Sequence, residues 1–278
     1  SQARTKVGNR LCERLLREAE LWWASVAVMP TEVADELEEL WKQVLVQQSH
    51  DILPGSSITW VHDDAEATHT RVAARLDELI AQALAQLAPS VPAIANASAH
   101  VRHEVVGSGK TAFIASAPGF GIAPLTTDEI DDRVAVTEHS FTNKSIAVSW
   151  DLDGTITSII DVRFGRELLP QSATVTLQLA PDPPIEYDAC DAESWVRPPG
   201  SPIGGVESCE IVDAGPLVAT LRVRRTFGRS TIEQELTVRA GSARVDLKFE
   251  IEWHEEEKLL SLMLPLDVHA REAACDIQ

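Results

Sequence analysis

A histidine and an aspartate stand side by side at the joint between two strongly helical runs. His50 and Asp51 follow the first run, and residues 52–57 read Ile-Leu-Pro-Gly-Ser-Ser. Proline disfavours a helical conformation for the residue before it, and Pro-Gly suits a type II turn. Either serine, Ser56 or Ser57, would then cap the next helix. We therefore expect the bend of a helical hairpin that presents an imidazole and a carboxylate.

These two residues have an ordinary interpretation and a chemical one. A lone histidine at a helix end is more often a capping or surface group than a ligand, and the dipole at the C-terminal end of a helix favours a nearby cation. Zinc, however, takes histidine nitrogen and carboxylate oxygen ligands, and catalytic zinc sites keep one position open. Two apolar residues at the joint, Ile52 and Leu53, indicate that it packs against something.

A second stretch imitates a phosphatase signature. Residues 145–155 end in Trp-Asp-Leu-Asp-Gly-Thr, which resembles the haloacid dehalogenase motif, in which the first aspartate is the nucleophile and the second the general acid. That chemistry needs a doubly wound α/β domain, but residues 156–161 alternate as a strand and no βαβ pattern appears. Asp153 and Gly154 are therefore predicted to form a hairpin turn, and Asp151 is not expected to act as a nucleophile.

Other candidate groups have structural interpretations as well. Residues 107–111, Gly-Ser-Gly-Lys-Thr, resemble the end of a P-loop, but Glu104 stands where a P-loop has glycine and a strand is predicted to follow, so we predict a turn. A spacing of three on a strand sends His100 and His103 to opposite faces, which disfavours a shared metal. We assign His62 and His69 to solvent.

The joint carries a resemblance to a known family. Gln48-Ser49-His50-Asp51 followed by Ile-Leu-Pro-Gly-Ser is similar to the Gln-x-His-Asp-Ile-Leu-Pro-Gly-Ser signature of the α-mannosidases of glycoside hydrolase family 38. The resemblance implies that His50 is a ligand of the catalytic zinc and that Asp51 lies in the sugar subsite. Ser49 replaces the usual Phe or His at a position that is not a ligand.

Further stretches resemble bacterial members of the family along nearly the whole chain. They are residues 1–20, residues 153–158 with 165–169, residues 258–260 with 266–269, and residues 187–191, where Tyr-Asp-Ala-Cys-Asp replaces a Trp-Asp-Ala-Trp-Asp segment. The loss of both tryptophans puts any role for Asp188 or Asp191 in doubt.

The resemblance also implies which function to expect. Family members are zinc-dependent retaining α-mannosidases whose nucleophile and His-x-Asp zinc motif lie in an amino-terminal α/β barrel. We find no such segment before Ser1, so we expect part of such an enzyme, with no catalytic residue of its own and inactive on a mannoside alone. Its implied partners are a mannoside and the barrel of the same parent chain. The alternative is a non-catalytic carbohydrate-binding or scaffold protein.

Hydrophobic periodicity divides the chain into two domains. Helical periods over residues 8–28, 31–48 and 58–87 predict a three-helix bundle within residues 1–90. Two prolines, Pro89 and Pro92, begin a linker that extends to Ser98. Period-two alternation predicts an antiparallel β-sandwich over residues 91–278, cut short at its end. Its candidate strands are residues 101–106, 112–116, 134–138, 145–150, 155–161, 174–179, 217–223, 231–238 and 245–253.

Composition narrows the classes of function. The 278 residues carry a net charge of −19, which argues against binding a phosphate backbone, and no apolar run is long enough to span a membrane. Four scattered cysteines (Cys12, Cys190, Cys209 and Cys275) form no Cys-x-x-Cys pair, so we expect reduced thiols and a cytoplasmic protein. Self-association to a homo-oligomer stays open.

Overall fold

The computed structural model describes residues 2–89, 92–125, 130–183 and 200–272. Its first part is three helices, α1 (Ala3–Ser25), α2 (Thr31–Gln47) and α3 (Thr59–Leu87). Antiparallel sheets follow, which confirms the predicted fold class of a helical bundle and a β-domain. The first helix starts five residues before the predicted residue 8 and ends three residues before the predicted residue 28.

Each helix buries one face, and the buried face of α3 includes the two histidines that the sequence assigned to solvent. Its buried residues follow a three-and-four spacing from His62 through Ala65 and His69 to Val72 and Leu76. His62 and His69 are each only 3% exposed, so their assignment to solvent was wrong. The physical reason is the close approach of α1, since a Cβ added at Gly8 would lie 2.6 Å from Nδ1 of His69.

The helix starts also differ from the caps that the sequence favours, which are Thr31 for α2 and Ser56 or Ser57 for α3. Thr31 is the first residue of α2, and Pro30 takes the cap position without a side-chain hydrogen bond. Ile58 caps α3, again without a side-chain bond. The hydroxyls of Ser56 and Ser57 instead donate to the carbonyl oxygen of Asp51, so they stabilise the joint rather than the helix.

Sixteen strands lie in the described part of the chain. They are β1 (Ala93–Asn96), β2 (Arg102–Val106), β3 (Phe113–Ala117), β4 (Gly121–Pro124), β5 (Ala135–Thr137), β6 (Ser140–Thr142), β7 (Ile146–Trp150), β8 (Ile156–Asp161), β9 (Arg166–Glu167), β10 (Thr176–Pro181), β11 (Ser201–Pro202), β12 (Val206–Ala214), β13 (Val218–Phe227), β14 (Ser230–Arg239), β15 (Val245–Glu252) and β16 (Lys258–Met263). Every pair is antiparallel, and all nine predicted strands are present with shifted ends.

Three sheets build most of the β-domain. A five-stranded sheet has the order β5-β6-β7-β8-β9, a four-stranded sheet the order β12-β13-β14-β15, and a three-stranded sheet the order β11-β10-β16. One apolar cluster contains buried residues of the first two, among them Phe141 and Trp150, whose rings meet edge to face at 4.7 Å, and Leu221 and Leu236. The two sheets therefore share one core, as in a sandwich.

Two segments were misjudged in the sequence. The predicted linker contains strand β1, whose Ala93 to Asn96 pair with β4. Residues 258–260 and 266–269, which resemble a late strand pair of the family, do not pair with each other in the described residues, since residues 264–272 form no strand and β16 pairs with β10. The linker region also contacts the bundle, where Nη2 of Arg17 donates to the carbonyl oxygen of Ala97 at 3.2 Å.

No described helix is long and apolar enough to cross a membrane.

Candidate functional site

The joint between α2 and α3 is a compact loop with its own hydrogen bonds. The backbone N–H groups of Ile52 and Leu53 donate to the carbonyl oxygen of Ser49 at 2.9 and 3.0 Å, and that of Gly55 donates to Ile52 at 3.1 Å. The Ser57 hydroxyl donates to the Asp51 carbonyl at 2.5 Å. These bonds confirm the predicted bend and hold its backbone in one shape.

Gly55 is required at this bend for two reasons. Its φ is +98°, a conformation that glycine adopts without steric cost. A Cβ at this position would also lie 3.0 Å from the backbone nitrogen of Gln2, so the joint approaches the start of α1 closely. The Pro54-Gly55 pair thus lets the loop turn against the first helix.

The side chain of Gln48 connects the joint to the first helix. Its amide nitrogen donates to Oδ1 of Asn9 at 3.0 Å and to Oε1 of Glu13 at 2.9 Å. Asn9 is 1% exposed, so this contact lies at the edge of the helical core. Sequence reasoning did not find it, because the partners are 39 and 35 residues away and belong to another helix.

The structure presents the His50 imidazole to the outside of the bundle. Its side chain is 91% exposed, and that of Asp51 is 68% exposed. Nε2 of His50 lies 3.3 Å from Oδ2 of Asp51. The pair is therefore an accessible imidazole with a carboxylate beside it, on a loop whose backbone is fixed.

Apolar side chains in the helix turns next to the joint are exposed. Leu45 and Val46 lie in the last turn of α2, Ile58 and Trp60 lie at the start of α3, and each is more than half exposed. Trp60 is the most exposed of the four at 80%. Several large exposed apolar side chains in one region are typical of an interaction surface.

The joint does not hold a metal site by itself. Among the described residues, no group of three or more His, Cys, Asp or Glu side chains is close enough together to bind a metal ion. A structural or catalytic zinc site needs at least three protein ligands. A complete zinc site that used a group of this joint would therefore need ligands from outside the described residues.

The phosphatase-like stretch is a hairpin, as predicted. Gly154 has a φ of +71° and its N–H donates to the Asp151 carbonyl at 2.9 Å. Oδ1 of Asp151 accepts hydrogen bonds from the backbone N–H groups of Asp153 and Thr155. This carboxylate therefore stabilises the turn between β7 and β8. The carbonyl oxygen of Asp153 accepts a hydrogen bond from Arg225 at 2.6 Å.

The remaining candidates have structural roles in the described residues. Gly109–Thr111 form a single turn of 3-10 helix before β3, which confirms the predicted turn. His100 precedes strand β2 instead of lying on it, so the argument from alternating faces does not apply to it. His103 is an exposed residue of that strand. Asp188 and Asp191 lie outside the described residues.

The two buried histidines face the α1–α3 interface. Nδ1 of His62 shares a hydrogen bond of 3.1 Å with the hydroxyl of Thr5. Nε2 of His62 and both ring nitrogens of His69 are buried and have no hydrogen-bond partner among the described residues. Burial lowers the pKa of His69, and the nearby Glu66 opposes this shift. Both histidines are core residues whose unpartnered nitrogens reduce stability, and they are not part of the joint.

Comparison with known protein families places both parts of the chain. A family model described as "Alpha mannosidase middle domain" matches residues 1–87. A second, described as "Glycosyl hydrolases family 38 C-terminal domain", matches residues 141–278. The helical bundle and the β-domain are thus domains of the glycoside hydrolase class.

Similar proteins agree with this assignment. Alpha-mannosidase 2C1 of Homo sapiens is 27% identical over 305 residues, which cover 100% of this chain and 29% of that protein. Alpha-mannosidase G of Dictyostelium discoideum is 24% identical over 353 residues, with 100% of this chain and 32% of that protein covered. The chain belongs to glycoside hydrolase family 38. It spans about three tenths of the length of the curated relatives it matches.

Solved structures show the same fold. An α-mannosidase of Enterococcus faecalis matches with a TM-score of 0.68 at 15% identity, over 94% of this chain and 42% of that one. A family 38 protein from the same organism matches with a TM-score of 0.69 at 13% identity, over 94% and 45% of the two chains. The arrangement of a helical bundle followed by antiparallel sheets is therefore found in other proteins of the family.

Proposed function

We propose that this chain is the non-barrel part of a zinc-dependent, retaining α-mannosidase and that His50 supplies one ligand of its zinc ion. The observation that carries the proposal is the His50 side chain, 91% exposed on a loop whose backbone is fixed by hydrogen bonds. A surface imidazole held in place in this way can bind a metal only together with groups from another segment. Membership of the family and relatives named alpha-mannosidases support the same function.

The role of this chain in catalysis would be to position groups. In the present geometry Nε2 of His50 faces the Asp51 carboxylate, which leaves Nδ1 as the ring nitrogen for a metal. A carboxylate that accepts the N–H of a ligating imidazole fixes its tautomer and its orientation. Asp51, 68% exposed, also has acceptor capacity for the hydroxyl group of a sugar. When bound, zinc would orient sugar hydroxyls and stabilise developing negative charge.

The exposed apolar residues next to the joint support the inference that another part of the parent protein packs there. Val46, Ile58 and Trp60 lie in the helix turns that adjoin the joint and are each more than 60% exposed. The relatives are more than three times as long as the region they share with this chain. We infer that further polypeptide of the same parent, which would contain the nucleophile, packs on this surface and brings the other zinc ligands and the mannoside to His50.

The test is the His50→Ala substitution in the intact protein. We expect the zinc content and the hydrolysis of an aryl α-mannoside to fall at least about tenfold, because a site that loses one of three or four ligands binds zinc much less tightly. The far-ultraviolet circular dichroism and the unfolding midpoint are expected to stay the same, since the side chain is exposed.

A second His–Asp pair provides the matched control. Nε2 of His269 lies 3.2 Å from Oδ1 of Asp267, and the His269 side chain is 93% exposed. His269→Ala should leave zinc content and activity unchanged. Wild-type zinc content in His50→Ala would contradict the assignment of His50. An intact protein that binds mannosides and does not cleave them would favour the carbohydrate-binding alternative.

A further inference from the structure

Two long polar side chains occupy inward positions in the largely apolar face of the four-stranded sheet. On β13 the inward row contains Ala219, Leu221 and Val223, and its next member is Arg225. On β14 the corresponding buried row, alternating from Ser230, includes Gln234. Arg225 is 7% exposed and Gln234 8% exposed.

The two side chains are close neighbours on that face. Arg225 is directly opposite Ile232, and Gln234 is directly opposite Val223. They are therefore diagonal neighbours on adjacent strands, a distance that long side chains span. Both line one small cavity, which lies between this sheet, the three-stranded sheet and the β7–β8 turn.

The charge of Arg225 is not paired within the described residues. Its Nη2 donates to the Asp153 carbonyl oxygen at 2.6 Å, but no described carboxylate lies within ion-pair distance. Burial lowers the pKa of the Arg225 guanidinium, and Asp153 and Asp151 raise it through space. A buried cation without a paired anion is costly, and a guanidinium has five N–H donors to satisfy.

The cavity has space and further hydrogen-bond donors for an ion. Its volume is about 60 Å³, whereas one water molecule needs roughly 10–15 Å³ of the same measure. The Gln234 amide has no partner among the described residues. Thr155 and Thr176 line the same cavity, and Leu177 and Leu262 are part of its apolar wall.

We propose that this cavity binds one small monovalent anion, a halide or a formate-sized carboxylate, between the Arg225 guanidinium and the Gln234 amide. Donors from a guanidinium and an amide, in a small site with mixed polar and apolar walls, are groups that bind such an anion. The anion would neutralise the buried cation and connect the four-stranded sheet with β10 and the β7–β8 turn. This site lies in the β-domain and does not depend on the proposed function of His50.

Crystals of the intact protein grown in sodium bromide test the location. We expect an anomalous bromide peak inside the cavity, within hydrogen-bonding distance of Arg225 and Gln234. A cavity that holds water alone under these conditions would overturn the proposal.

Thermal unfolding of the intact protein tests the energetics. The midpoint should rise with sodium bromide or sodium formate and not with sodium gluconate at equal ionic strength, since gluconate is too large for the cavity and a ligand that binds the folded state raises its stability. Gln234→Leu places an apolar side chain at this inward position and removes the amide donor. We expect this change to raise the Kd for bromide about tenfold.

Arg222→Gln is the matched control. Arg222 lies on the same strand, on the opposite face, and pairs with Glu235 at 2.7 Å. This variant should keep the wild-type response to bromide. An equal response in the wild-type protein and Gln234→Leu, or an equal rise with gluconate, would show that the salt acts elsewhere and would refute the site.

Discussion

Among single residues, His69 is a polar side chain in the buried core of the helical bundle. It lies in the buried row of α3 with both ring nitrogens lacking partners among the described residues. Gly8 on α1 leaves room for the ring, because a Cβ there would lie 2.6 Å from its Nδ1. A buried polar group without a partner costs roughly 1–3 kcal/mol of stability. Position 69 therefore reduces the stability of the bundle.

We predict that His69→Leu stabilises the protein by about 1–3 kcal/mol, because leucine restores an apolar contact and removes the unpartnered nitrogens. Equilibrium urea unfolding, followed by circular dichroism, measures the change. His100→Leu is the control, since His100 is exposed and should change stability little. A destabilised His69→Leu would indicate that the ring has a polar partner, such as a buried water molecule.

The same residue predicts a pH dependence. Burial lowers the pKa of His69 below its ordinary value of 6.5, so the unfolded chain binds a proton more readily than the folded one. Stability is then greatest above pH 6.5 and decreases as the pH falls from there towards the folded-state pKa. His69→Leu should reduce this loss on the acid side. An identical slope in the variant and the wild type would exclude His69 as its source.

At the scale of elements, the β7–β8 turn depends on one glycine. Gly154 has a φ of +71°, and a Cβ at this position would lie 2.4 Å from a methyl group of Val223 and 3.1 Å from Sγ of Cys209. The turn therefore packs directly on strand β13. This close contact is expected of a structural turn. It has no role in the phosphatase chemistry that Asp151 and Asp153 imitate.

We predict that Gly154→Ala destabilises the protein by about 2–4 kcal/mol, which combines the strain of a positive φ with overpacking against Val223. Gly165→Ala is the matched control, because Gly165 has a φ of +61° with nothing within 4 Å. It should cost only about 1–2 kcal/mol, the strain alone. Chemical denaturation of both variants measures the difference. Equal losses would show that the turn has room for a side chain.

The elements of this fold follow from the sequence to different extents. Hydrophobic periods of 3.6 and 2 predicted the three helices and nine strands, because each buries one face. The turn at Gly154 and the bend at Gly55 followed from local backbone preferences. Strand β1 was missed, since Ala93–Asn96 is short and small, and its partner β4 lies 25 residues later. Such pairing depends on tertiary contacts that local patterns do not contain.

The candidate site was predictable only in part. The sequence placed His50 and Asp51 on a bend through their neighbours Pro54 and Gly55. Their exposure and the contact of Gln48 with α1 are known only from the three-dimensional structure. An inward arginine at position 225 had a visible signal, because it continues the alternating row of Leu221 and Val223, but only the structure shows the cavity beside it.

At the scale of the whole molecule, the chain presents one proposed zinc ligand and no complete metal site in its described part. We therefore predict that this chain alone binds zinc only weakly at neutral pH, with no better than about millimolar affinity at His50, because one imidazole cannot make a tetrahedral site. Isothermal titration calorimetry measures it. A tight, stoichiometric isotherm that is abolished by His50→Ala would contradict the proposal of a shared site.

The Gln48 amide has a consequence for the placement of the imidazole two residues later. Because the Gln48 amide donates to Asn9 and Glu13 on α1, the position of His50 depends on the first helix as well as on the α2–α3 hairpin. A displacement of α1 along its axis would shift the imidazole relative to any neighbouring domain. The alignment of the proposed ligand therefore depends on residues about forty positions earlier in the chain, and a substitution of Asn9 or Glu13 would misplace the imidazole without changing it.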